Sequence, residues 1–301
     1  MGKKIISVLS CILMGFLLVG CSQKGLAEDS INIDNQDNKI KVMVSIYPLK
    51  EFTKIIGGDN IEVNCLVPDN MEPHDYEPKT KDFELLMKSD AFIYNGLGME
   101  SWIDSVNNVI DEKKVLKVNS SEGIDIRKEG DLIDPHSWLS LIQVQKQCEN
   151  IKDALIKLDE KNAQVYQENY QKFNNELNSL YNEYSGKFNE LKKKDFITGH
   201  AAFGYLCRDF GLSQKSVENL YGEGEPTPKQ LEELVNFCKD NNIKTIFSES
   251  LASPKVSKTL ASEVGADVVP IYTLESNEDG KSYIDAMREN LEKIYNSLSK
   301  Q

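Results

Sequence analysis

The chain has 301 residues, 40% of them apolar and 28% charged, the make-up of a soluble globular protein with apolar material for two sizeable cores. At about 150 residues per domain, the length predicts two domains. A formal net charge of −13 excludes binding to nucleic acid, or to anionic lipid, by charge alone.

The first twenty residues read as a leader. Lys3 and Lys4 precede the apolar run Ile5–Val19, which is shorter than the roughly 20 residues a spanning helix prefers. The run ends in Leu18-Val19-Gly20-Cys21, which resembles a bacterial lipobox, so Cys21 is expected to carry the lipid and to begin the mature chain. Two acyl chains hold a protein at the membrane without any spanning segment. The expected location is therefore the extracytoplasmic face of the cell membrane. Residues 21–40 are polar and predict a flexible tether. Loss of two lysines with the leader takes the charge from −13 to −15.

From Lys41 onward short β-rich runs alternate with helical periods. Strands are predicted over Lys41–Tyr47, Ile61–Val67, Ala91–Tyr94 and Lys114–Val118, with helices over about 48–57, 80–88 and 99–111. Strands separated by helices predict a parallel sheet with right-handed crossovers. The stretch from Trp138 to Lys194 contains no proline and only Gly186. Tyr166, Tyr170, Phe173, Leu177, Leu180, Tyr184, Phe188 and Leu191 recur there at steps of three and four, one apolar face of a long helix. The alternation then resumes, with strands over Lys194–Thr198, Ser216–Leu220, Thr245–Ser248 and Asp267–Tyr272. Helices are predicted over 201–210, 228–240, 254–263 and 281–298. The fold class is α/β: an N-terminal lobe over 41–140, a linking helical region over 141–193 and a C-terminal lobe over 194–301.

Asn95-Gly96-Leu97-Gly98 lacks the third glycine of a dinucleotide loop and reads as a turn. Cys65, Cys148, Cys207 and Cys238 show no CxxC spacing, so no thiolate metal cluster is predicted, and buried free thiols are the simpler reading.

All three histidines fall in loops. His74 lies in Glu72-Pro73-His74-Asp75-Tyr76-Glu77-Pro78, His136 in Asp134-Pro135-His136-Ser137-Trp138, and His200 directly after a predicted strand. In open α/β sheets, ligands bind outside the carboxyl ends of the strands. A single histidine is more often structural, but three in such loops point to a metal. An imidazole set suits zinc, copper, iron or nickel better than calcium or magnesium. Zinc takes four ligands, which leaves one place for a carboxylate or water. Glu275, after the last strand, is the best-placed carboxylate, and Glu249 is the runner-up, with support of an imidazole N–H as its other role.

Several motifs follow one another in a fixed order: Ser45-Ile46-Tyr47-Pro48-Leu49, the His74 motif, Tyr94–Gly98 with Trp102, Asp134–Ser140, Gly199–Leu206 and Glu225–Gln230. With them the chain resembles the metal-binding lipoproteins of bacterial ABC importers for zinc and manganese, from about Lys41 to the C-terminus. The resemblance implies two Rossmann-like lobes joined by a rigid helix, with the metal at their interface. It also implies a non-enzymatic, monomeric protein that captures Zn2+ and passes it to the permease and ATPase subunits of an importer.

Manganese-type members offer two histidines, a glutamate and an aspartate; His200 at the third position is similar to the zinc branch. The aspartate that some members use as fourth ligand is replaced near Tyr272, which favours Glu275. Residues 119–133 contain no histidine, so the His-rich loop of some zinc members is absent. The alternatives are a manganese- or iron-type importer component and a metal-containing surface adhesin. A zinc hydrolase is disfavoured, because no HExxH occurs.

Overall fold

The computed structural model describes residues 39–69, 71–222, 226–251 and 254–301. The expected leader, the expected lipid site at Cys21 and nearly all of the expected tether lie outside them.

In the first half, β1 (Ile40–Val44), α1 (Tyr47–Gly57), β2 (Ile61–Cys65), α2 (Thr80–Leu86), β3 (Ala91–Tyr94), α3 (Ile103–Asn107) and β4 (Leu116–Asn119) follow in order. The four strands form a parallel sheet in the order β2-β1-β3-β4. Val42, Val44, Phe92 and Ile93 are buried in it, as both-face burial of a parallel sheet requires. Pro48 opens α1, where its missing N–H costs nothing. Leu49, Phe52 and Ile56 then bury one face against the sheet. A short antiparallel hairpin, β5 (Lys128–Glu129) with β6 (Leu132–Ile133), precedes the helical region and has no counterpart in the sequence pattern.

The helical region is a hairpin of two helices, α4 (Leu141–Leu158) and α5 (Ala163–Glu190). The sequence pattern, free of proline and nearly of glycine, reads through their junction. Asp159 breaks the helix instead: its carboxylate accepts hydrogen bonds from Asn162 Nδ2 at 2.6 Å and from Tyr166 Oη at 2.9 Å. Such side-chain bonding competes with helix continuation. The aromatic stripe of α5 serves both halves. Phe173 packs on Phe52 of α1 with ring centroids 6.0 Å apart. Phe188, four turns further on, meets Phe210 at 5.3 Å and Tyr295 at 6.1 Å in the second half.

The second half contains β7 (Asp195–Thr198), α6 (Gly204–Phe210), β8 (Ser213–Ser216), α7 (Pro228–Asp240), β9 (Thr245–Glu249), α8 (Pro254–Val264), β10 (Asp267–Ile271) and α9 (Tyr283–Leu298). Its parallel sheet has the order β10-β9-β7-β8. Counted from its own first strand this is 2-1-3-4, the order of the first sheet, although no sequence repeat links the halves.

The strand predicted over Ser216–Leu220 lies earlier, at Ser213–Ser216. The apolar residues that suggested it, Val217 and Leu220, are buried in a loop that bonds to the segment after β7. There Glu218 N–H donates to Gly199 O at 2.8 Å and Ala201 N–H to Asn219 O at 3.2 Å. The true edge strand is polar and carries no apolar alternation.

The four described cysteines are free. Burial pushes the Cys65 thiol up to about 12 and the Cys238 thiol to about 11. Among the described residues, no helix is long and apolar enough to cross a membrane.

Candidate metal centre

The repeated strand order places two switch points, at β1/β3 and at β7/β9, where ligands of open parallel sheets bind. His200 follows β7 and Glu249 ends β9, so both stand at the second switch point. His74 reaches the same place from a 3-10 turn, Pro73–Asp75, where the Glu72 carboxylate accepts from the His74 N–H at 3.4 Å. His136 comes from the segment between the β5–β6 hairpin and α4. Glu275 follows β10.

A left-handed residue brings Glu275 back inward. Leu274 has φ of 61°, costly for a non-glycine residue, and its N–H is held by Glu278 Oε1 at 2.8 Å. Glu278 is anchored in turn by Ser250 Oγ, which donates to its Oε2 at 2.6 Å.

The structure brings His74, His136, His200 and Glu275 together: one donor atom from each lies within 4.8 Å of all the others. His74 Nε2 is 3.1 Å from His136 Nε2. Glu275 Oε1 is 3.8 Å from both His136 Nε2 and His200 Nε2. His136, His200 and Glu275 are at most 3% exposed, while His74 is half-buried. Tyr221 stands edge-on to His74 with ring centroids 5.4 Å apart.

Two of the four ligand side chains are oriented from behind by hydrogen bonds. Asp134 Oδ1 accepts from His136 Nδ1 at 2.8 Å, leaving His136 Nε2 free to ligate. Thr273 Oγ1 donates to Glu275 Oε2 at 2.7 Å, which leaves Oε1 toward the histidines. Glu249, the sequence runner-up, lies outside the four-donor group. Its Oε1 accepts from the His200 N–H at 3.2 Å and lies 3.7 Å from His200 Nδ1, a place behind the imidazole.

Burial, helped by the neighbouring His136, lowers His74 to about 3. Burial also lowers His200, again with help from the other imidazoles. Both therefore stay neutral, the form that ligates metal. Burial raises Glu275, with the Glu72 charge adding to the effect, and raises Glu249 to about 8. His200 Nε2 and Glu275 Oε1 are buried and make no hydrogen bond among the described residues. An unpaired buried polar atom costs about 1–3 kcal/mol. A cation between these two would supply what both lack, and three imidazoles with one carboxylate suit zinc in a tetrahedron.

Asp134, Thr273 and Glu278 carry the centre but had no role in the sequence reading. Asp134 had a visible signal, two residues before His136. The other two become legible only through their contacts.

A family model described as zinc-uptake complex component A, periplasmic, matches residues 42–297. A putative metal-binding protein of Treponema pallidum is 40% identical over 280 residues, covering 88% of this chain and 89% of that one. The high-affinity zinc uptake system protein ZnuA of Bacillus subtilis is 34% identical over 311 residues, covering 97% and 96%. Among solved structures, the laminin binding protein Lmb of Streptococcus agalactiae, described as bifunctional with adhesin and metal transporting activity, has a TM-score of 0.81. It is 33% identical, covering 86% of this chain and 99% of that one. With a family model matching most of its length and two near-full-length relatives, the chain belongs to the zinc-uptake complex component A family.

Proposed function

We propose that this protein captures Zn2+ outside the cytoplasm and delivers it to the permease of an ABC importer, whose ATPase subunit supplies the energy. The observation that carries this reading is the convergence of His74, His136, His200 and Glu275, two loops from each half, on one point between the two sheets. An ion held there touches both halves, so a partner that reads their joint surface can sense loading. Four protein donors fill a tetrahedral sphere and leave no open position for a catalytic water, which favours carriage over hydrolysis. The zinc-uptake names of the family model and of the Bacillus subtilis relative support the choice of metal and of task.

The finer organisation follows from the sequence. The leader is removed before Cys21, the lipid on Cys21 anchors a monomeric protein, and the tether frees lobes of residues 41–140 and 194–301 around the 141–193 helices. Because α5 packs against both halves, metal exchange proceeds through loop movement near His74 rather than through wide lobe closure.

The test is metal content by mass spectrometry after zinc and manganese are offered in competition. One zinc per chain is the expected result; preferred manganese, or no bound metal, would overturn the reading. Growth in chelator-limited medium then separates an importer component, which is needed there, from an adhesin, which is not.

A further inference from the structure

The segment without histidines, residues 119–133, supplies the metal centre with an arginine. The chain has three arginines, and among the described residues only Arg127 pairs with a fully buried carboxylate; Arg208 and Arg288 pair with exposed acids. Arg127 Nη1 lies 2.7 Å from Asp134 Oδ2. Asp134 is fully buried, and its other oxygen, Oδ1, accepts from the His136 N–H at 3.0 Å and from His136 Nδ1 at 2.8 Å. Arg127, Asp134 and His136 thus form one unbroken chain that ends at the ion-facing Nε2.

Arg127 is itself held from the second half. Its backbone N–H donates to Tyr205 Oη at 3.0 Å, and that hydroxyl donates to the Asp134 carbonyl at 3.1 Å. Its guanidinium lies against Gly204, where a Cβ would run into it. Glu129 Oε2 takes the remaining Nη2 at 3.3 Å.

The carboxylate has two oxygens and two claimants. With Oδ2 occupied by the guanidinium, Oδ1 is left to the imidazole, and both the plane of the carboxylate and the hydrogen bond to Nδ1 are fixed. Without the arginine, a fully buried carboxylate would have an unpartnered oxygen, and it would turn away from its present plane. A carboxylate that has turned no longer presents Oδ1 squarely to Nδ1–H, so it no longer selects one imidazole tautomer.

We propose that Arg127 is a positioning residue of the metal centre: through Asp134 it holds His136 as the Nδ1–H tautomer with Nε2 aimed at the ion. This deepens the zinc-capture reading and rests on it for the metal. Loss of such an outer partner typically costs about 10–100-fold in metal affinity.

The test uses three variants of the full chain. Arg127→Met removes the charge and keeps most of the volume, Arg127→Lys keeps the charge without the fork, and Gly204→Ala crowds the guanidinium. Nitrogen-15 shifts of the imidazoles, read without metal, report the tautomer; chelator competition reports zinc affinity. In the unaltered protein His136 is expected as Nδ1–H. Arg127→Met should populate the Nε2–H form and weaken zinc binding about 10–100-fold, with Arg127→Lys between the two. A pure Nδ1–H tautomer in Arg127→Met, even with a lowered melting temperature, overturns the proposal and leaves Arg127 a simple structural pin. Zinc affinity within twofold of the unaltered protein overturns it too. If Arg127→Met does not fold, unchanged shifts in both Arg127→Lys and Gly204→Ala do so instead. An unaltered protein that takes up no zinc sinks the capture reading alone, because the tautomer is read without metal.

Discussion

His74 Nε2 faces His136 Nε2 across 3.1 Å, a separation at which two imidazoles share either one proton or one metal ion. Two ligands of a tetrahedral zinc, with bonds of about 2.0 Å, stand about 3.3 Å apart. His136 Nδ1 is committed to Asp134, so its Nε2 offers a lone pair toward His74. His200 Nε2 and Glu275 Oε1, 3.8 Å apart, need only a small contraction to complete the same tetrahedron.

Zinc should stabilise the fold through these donors. At a free concentration of about 100 times Kd, binding adds about 2.7 kcal/mol, which for a chain of this size raises Tm by roughly 4–5 °C. Replacement of His200 by Ala should abolish most of that shift while zinc-free Tm changes little by comparison. Scanning calorimetry with and without zinc decides it, and an undiminished shift in His200→Ala would show that the ion binds elsewhere.

The aromatic clasp of α5 should matter for global stability. Phe188 is fully buried against Phe210 and Tyr295, so Phe188→Ala should cost about 3–5 kcal/mol. Urea unfolding measures this directly. A loss below about 1 kcal/mol would mean that α5 is not the joint between the halves.

Stability should depend on pH through Asp209, which is not among the four donors. Its Oδ2 accepts from Ser140 Oγ at 2.6 Å, at the start of α4, and burial raises its pKa from 3.8 to about 6. The folded protein then holds this proton more tightly than the unfolded chain. The stabilisation is full below about pH 4 and is lost as pH rises through about 6. Partial exposure trims the effect to about 1–2 kcal/mol. Asp209→Asn should flatten this part of the profile between pH 4 and 7; identical profiles would refute the assignment.

Gly199 should resist substitution. A Cβ there would overlap the Glu249 carboxylate that takes the His200 N–H, so Gly199→Ala should destabilise by about 1–3 kcal/mol and weaken zinc binding. Glu249→Ala in the same chain should make the alanine cheaper. Strictly additive effects in the double-mutant cycle would remove the clash as the cause.

The sequence by itself determined the α/β alternation, the helical joint and the four candidate ligands, because each has a local record. A buried strand or helix face leaves a period of two or of 3.6 in apolar residues, and loop histidines stand out when a chain has only three. Where the local record was weak, the reading slipped. β8 is a polar edge whose place was taken by the apolar residues of the loop after it.

What only the tertiary structure decided concerns residues distant in sequence. The shared 2-1-3-4 strand order, the inward turn at Leu274, the place of Glu249 behind His200 rather than among the four donors, and the chain from Arg127 to His136 all depend on how separate segments pack. Direction and distance between side chains are set by that packing, and the order of residues along the chain carries no measure of either.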